Sequence, residues 1–202
     1  HHDHQDGHDQ PEKKKIRIEE NLLSTPFTEI DIGILRPTLI VCYWGKNLLK
    51  LTHSLKYGNK FINYLKTFLL GSMPMHIVPV QNVVSALLLL AFSDKKLDGN
   101  IFIVSSDQDV NNNFQKVVEI LLNELGINKV LIPQLILPRV LQSILFKLIN
   151  RNDIKMNRNY DSKKLHDFGF NPVDSVKEAI GQFLLSINEV NSLNLAPKKI
   201  ID

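Results

Sequence analysis

Residues 30–41, IDIGILRPTLIV, read as a buried strand broken once, at Arg36-Pro37. Ile30, Ile32, Ile34 and Leu35 lead into the break, and Thr38-Leu39-Ile40-Val41 resume after it. Proline has no N–H to give a ladder, so it belongs at the end or edge of a strand. In an open α/β sheet the crevice beyond the carboxyl ends of the strands is where ligands sit. An arginine and a proline at the exit of a buried strand therefore pose the question of a ligand.

The segments around this strand alternate in period. KKKIRIEENLLST carries Ile16, Ile18, Leu22 and Leu23 among charges, an imperfect helical stripe ended by Thr25-Pro26. NLLKLTHSLKYGNKFINYLKTFLLG reads as helix with a break at Gly58-Asn59, a pair that tolerates left-handed backbone. MHIVPV is a short strand, and VQNVVSALLLLAFSD is a helix apolar nearly all round, hence expected to be buried. GNIFIVSS is another strand. NNNFQKVVEILLNELG gives the cleanest helix, with Phe114, Val117, Val118, Leu121, Leu122 and Leu125 on one face. Asn111 to Asn113 offer caps and Gly126 a stop. An amphipathic helix is expected after Pro138, and DSKKLHDFGF and PVDSVKEAIGQFLLSINEV close the chain as two more, the second entered through a proline and an Asp/Ser cap. Strands alternating with helices predict an α/β fold with a largely parallel sheet. Segments 30–41, 76–80 and 100–105 should join in one common sheet, with helical material after about residue 131 beside it.

Composition narrows the classes. With 202 residues, 44% hydrophobic and 22% charged, the chain can bury a core of its own. The net charge of +3 is mild and no basic stripe with interleaved aromatics exists, so no nucleic-acid partner is indicated. One cysteine, Cys42, excludes an intrachain disulfide and fits a reducing, cytoplasmic setting. The longest apolar run, 83–92, is too short for a membrane span. The chain opens on His1, and HHDHQDGHDQ holds four of seven histidines. We take 1–12 as a disordered leader of a fragment, processed product or trimmed chain, against the alternative of a metal-binding tract.

Chemistry is sparse by motif. Nine isolated glycines form neither G-x-G-x-x-G nor G-x-x-x-x-G-K-S, and neither G-x-S-x-G nor H-E-x-x-H occurs. His53, His76 and His166 share no metal-ligand spacing, so no metal site is expected. Lys15 and Glu19, four apart on a helix, read as a solvated ion pair.

Four stretches in order nevertheless resemble the C-terminal half of an extended short-chain dehydrogenase/reductase, the NAD-dependent epimerase/dehydratase family that acts on nucleotide sugars. GILRPTLIVCYWGKN resembles that family's strand ending in Leu-Arg-Pro with a Tyr-Gly turn after it. HIVPVQNVVSALLLLAF, DGNIFIVSSDQDVNNNFQKVVEIL and DSKKLHDFGFNPVDSVKEAIGQFL resemble its later strand–helix, strand–helix and closing segments. Together they span about residues 15–190. The VQNV variant is also similar to steroid-dehydrogenase-like relatives, which would need an apolar pocket, for which the leucine-rich 131–149 helix is available.

The resemblance implies a partial Rossmann-like parallel sheet with a mostly helical C-terminal substrate-binding subdomain. Its divisions are 13–130 for the Rossmann-like part with interleaved substrate segments, 131–190 for the subdomain and 191–202 for a tail. It implies NAD or NADP as cofactor, with Pro37, Thr38 and Leu39 bordering the nicotinamide. It places a nucleotide-sugar diphosphate near Arg151 and Arg158, with His76 where relatives carry an arginine. Gln81-Asn82 would fix a turn and cap a helix. Lys15 and Glu19 would take the catalytic-helix lysine and glutamate positions; the tyrosine that relatives place four residues before the lysine is here Pro11. The glycine fingerprint and ribose-binding acid of the family's first half have no counterpart. The implied activity is an isomerase, lyase or oxidoreductase reaction, hydride abstraction from a UDP- or dTDP-sugar and its return, with this chain inactive by itself. A degenerate, non-catalytic binding or scaffold relative is the alternative. Relatives dimerise through the helix of the Tyr-Lys pair, which leaves a homodimer open.

Overall fold

The computed structural model describes residues 10–24, 30–42, 45–127, 137–138, 140–142 and 159–192. The fold is mixed α/β with parallel strand pairs. In chain order the described elements are α1 Gln10–Ser24, β1 Ile34–Pro37, β2 Leu39–Val41, α2 Lys46–Tyr57, α3 Lys60–Leu70, β3 Ile77–Pro79, α4 Val80–Ala91, β4 Ile101–Val104, α5 Phe114–Glu124, α6 Lys163–Phe168 and α7 Val176–Ser192.

The expected common sheet divides into two parallel pairs. β1 runs beside β4 from Ile34↔Ile101 to Pro37↔Val104, and β2 beside β3 from Leu39↔Ile77 to Val41↔Pro79. One stretch of chain therefore serves both, changing partner at Thr38. The Thr38 N–H still donates to the Val104 carbonyl (3.1 Å), while the next N–H, of Leu39, donates to the His76 carbonyl (2.9 Å). The bend directly after Pro37 makes the exchange possible, because the proline's fixed φ and missing donor disfavour a straight continuation of the ladder.

Both faces of the β2–β3 pair are covered, as parallel strands require. Successive side chains alternate. Val41 and Ile77 join a core with Leu48, Val117, Leu121, Ile180 and Phe183 from α2, α5 and α7. Ile40 and Val78 face a second core with Ala86, Phe102, Val104, Leu165 and Phe170. Leu165, Phe170, Val176, Ile180 and Phe183 of the closing segment thus pack within the same two cores as the strands.

Helix ends follow local chemistry. At α5, Asn113 accepts from the Lys116 N–H (3.0 Å). Gly126 takes φ +65. Ile127 N–H donates to Leu122 C=O and Gly126 N–H to Asn123 C=O, the 6→1 and 5→2 bonds of a Schellman stop. The break between α2 and α3 works differently from expectation. Gly58 has φ −81, so left-handed freedom is not its use; a Cβ there would collide with the Ser54 carbonyl. Asn59 caps α3 by accepting from Phe61 and Ile62 N–H.

α4 is not buried all round. Asn82, Val83, Ala86 and Leu90 face inward. Val84, Leu87 and Leu88 are about half exposed, and Phe92 is 82% exposed. Its open side is an unpartnered apolar strip. Of the helix expected after Pro138, only residues 140–142 are described, and they are helical.

Candidate functional site

The strand change at Thr38 opens a cleft of about 530 Å³. Its walls include Lys15 and Glu19 from α1, Arg36, Pro37 and Thr38 from the strand, and Tyr160 from the segment before α6. α1 is held over the strand by Glu19 and Arg36, whose guanidinium grips the carboxylate through Nε (to Oε1, 3.1 Å) and Nη2 (to Oε2). The guanidinium, chiefly by this hydrogen bond, holds the Glu19 carboxyl below its usual range. Glu19 thus takes its hydrogen-bonded partner from 17 residues away, while Lys15, read as its partner from helical spacing, adds only a smaller through-space attraction. The Lys15 ammonium, one turn before Glu19, has no hydrogen-bond partner among the described residues and lines the cleft. Thr38 Oγ1 is buried and has no partner there either.

Of the sequence candidates, Lys15, Pro37 and Thr38 meet in this cleft. The Leu39 side chain does not line it; it is 41% exposed, because the residue after the bend points the opposite way along a strand. Arg151 and Arg158 lie outside the described residues.

His76 belongs to a cluster directly behind Tyr160. Its Nδ1–H donates to Asp107 Oδ2 (2.9 Å), and the same oxygen accepts the Tyr160 N–H (2.8 Å). The Tyr160 carbonyl accepts from Ser105 Oγ (2.9 Å), so the tyrosine's backbone is pinned on both sides. The imidazole and phenol rings meet edge to face, centroids 4.9 Å apart. The Asp107 side chain is only 6% exposed, and its Oδ1 is buried without a partner among the described residues. Asp107 and Tyr160 escaped sequence reading. The signal for Asp107 was an acid just beyond the carboxyl end of a buried strand; Tyr160 offered none, its partners being 53 and 55 residues away.

A second cleft, of about 420 Å³, lies at the start of α7, lined by Asp109, His166, Asp174, Ser175 and Glu178 among others. Ser175 and Glu178 form a reciprocal capping box, and Asp109 Oδ2 accepts the Val176 N–H. Asn82 does not cap its own helix as expected. Its Oδ1 accepts the Val173 and Asp174 N–H groups and its Nδ2 donates to the Asp174 carbonyl. It does fix a turn, but the turn before α7. Desolvation, then the neighbouring Glu178, push the Asp174 carboxyl above its usual range, and its Oδ2 is buried without a partner. A raised folded-state pKa means the fold favours the protonated acid. The stability this group contributes is complete below its unfolded value near 3.8 and lost as pH rises through the folded value. Asp174→Asn should therefore melt above the wild type at neutral pH, with the difference shrinking on acidification. Paired thermal melts across pH check this, and an Asn variant that melts lower at neutral pH contradicts it.

Among the described residues no group of three or more His, Cys, Asp or Glu is disposed to hold a metal ion, and no helix is long and apolar enough to cross a membrane. No protein-family profile, curated protein or solved structure matches the chain.

Proposed function

We propose that this chain is the substrate-side part of an NAD- or NADP-dependent short-chain dehydrogenase fold of the nucleotide-sugar epimerase/dehydratase kind, working in the cytoplasm, and that its Thr38 cleft receives the nicotinamide end of the dinucleotide. The observation that carries the reading is the convergence on one cleft of Lys15 with Pro37 and Thr38, which lie more than 20 residues further along the sequence. The resemblance named those residues on sequence alone. The cleft's chemistry suits a carboxamide: a threonine hydroxyl without a partner among the described residues, a backbone bend, and the Lys15 ammonium nearby. With neither a glycine-rich pyrophosphate turn nor a ribose-binding acid, the affinity expected of this chain is only about millimolar, some 4 kcal/mol.

NADH added to the isotope-labelled protein should shift the amide resonances of Thr38, Leu39 and Tyr160 in a saturable way. Thr38→Val should weaken that response while raising stability by about 1 kcal/mol, because it removes a buried hydroxyl that no group among the described residues satisfies. Shifts confined to other residues, or no shift at millimolar NADH, would overturn the proposal. A second reading, a non-catalytic binding relative, is favoured by Pro11 standing at the position of the relatives' tyrosine. Micromolar NADH binding contradicts it.

A further inference from the structure

We infer that His76 and Asp107 form a proton-accepting dyad, with His76 Nε2 as base toward a hydroxyl of a ligand beside Tyr160. Three observations meet here. First, the imidazole's Nδ1–H is committed to a carboxylate at 2.9 Å, which fixes the tautomer whose lone pair is on Nε2. Nε2 has no hydrogen-bond partner among the described residues, and the side chain keeps 22% of its surface exposed, beside Tyr160, which lines the Thr38 cleft.

Second, the Asp107 carboxylate is only 6% exposed, and its Oδ1 has no partner among the described residues. A buried acceptor left unmatched is costly in a merely structural contact. It suits a group whose charge is to balance an imidazolium that forms when a proton arrives. Third, His76 sits at φ +53, a left-handed backbone that non-glycine residues adopt only at an energetic cost. Position 76 immediately precedes β3, and the His76 carbonyl is held by the Leu39 N–H, so the strained residue is locked beside the strand bend. Asn112 and Met75 reinforce it, with the Met75 N–H donating to the Asn112 carbonyl.

The proton balance is simple. The ligand's O–H proton moves to Nε2 and leaves the ligand oxygen as an alkoxide, the Nδ1 proton stays on the ring in its hydrogen bond to Asp107 Oδ2, and the resulting imidazolium faces a carboxylate. No group in this step changes oxidation state. Asp107 is a positioning residue, since it acts through the ring. The choice of a sugar hydroxyl as ligand rests on the function proposed above; the geometry of the dyad does not.

Diethylpyrocarbonate acylates neutral imidazole, and the site is read by peptide mass. In mildly alkaline buffer the native chain should be acylated at His76 faster than at His53, which is exposed and lacks a carboxylate partner. Asp107→Asn should slow His76 by about tenfold while leaving His53 unchanged, as expected when the orienting acid and its charge are lost. Millimolar UDP-glucose should protect His76 and not His53. Should Asp107→Asn fail to fold, the ratio of His76 to His53 in the native chain decides. A His76 slower than His53, or unaffected by Asp107→Asn, overturns the dyad. A fast His76 that UDP-glucose does not protect overturns the sugar-hydroxyl assignment, and NADH titration of the same sample, which reads the amides of the Thr38 cleft, shows separately whether the cofactor reading stands.

Discussion

Asn112→Asp is expected to remove about 3–5 kcal/mol of stability, a large part of what a domain of this size has. Asn112 is 5% exposed and lies in a turn, yet it behaves as a strand. Its Oδ1 accepts the Ile77 N–H (2.9 Å), and its Nδ2 donates to the Ile77 carbonyl (2.8 Å) and to the Ser106 carbonyl (2.8 Å). A carboxamide is the one side-chain group that reproduces the donor–acceptor pair of a peptide unit. It thereby closes the free side of β3, whose other side pairs with β2. Aspartate has the same shape and no donor. It would leave the buried Ile77 carbonyl unmatched, strip one of two donors from the part-buried Ser106 carbonyl, which keeps the Asp109 N–H, and set a negative charge against both. A urea melt should show the midpoint falling with little change in slope. A loss under 1 kcal/mol would mean that water, not Asn112, satisfies this edge.

Asn82→Ala should cost less, about 2–3 kcal/mol, and locally. The side chain is 1% exposed, but the groups it serves, Val173 N–H, Asp174 N–H and Asp174 C=O, lie in a partly buried turn where water can replace some bonds. The turn leads directly into α7, which contributes Val176, Ile180 and Phe183 to the larger core. Native-state hydrogen exchange should therefore report lost protection at residues 173 and 174 and through the first turn of α7, with β1 and β4 keeping theirs. Uniform loss of protection across the strands would contradict the local assignment.

The two asparagines also show where sequence reading stops. The clean stripe of Phe114 to Leu125 gives α5, and Gly126 ends it, because both signals are local and periodic. Within the run Asn111 to Asn113, cap chemistry is legible in kind but not by residue. Asn113 caps α5, whereas the partner of Asn112 is 35 residues away and on no shared element. The same distance hides the gripping of Glu19 by Arg36 across 17 residues, for which helical spacing offered Lys15 instead. Lys15, singled out by the resemblance for one role, and Pro37 and Thr38 for another, line one cleft with Tyr160; Tyr160 and Asp107 gave no such signal, because they come together only through tertiary packing. α4 misled by composition. Its leucines suit an enclosed helix, yet hydropathy does not say on how many sides neighbours stand.

Because a single uninterrupted stretch, 34–41, is shared between β4 and β3, misalignment cannot stay confined to either pair. Sliding β1 by one residue along β4 would carry β2 with it and exchange the seats of Ile40 and Val41, each landing against the wrong core. The two small ladders, only 4 and 3 residues long, are thus proofread jointly: neither could hold its alignment alone, and each rejects the errors of the other.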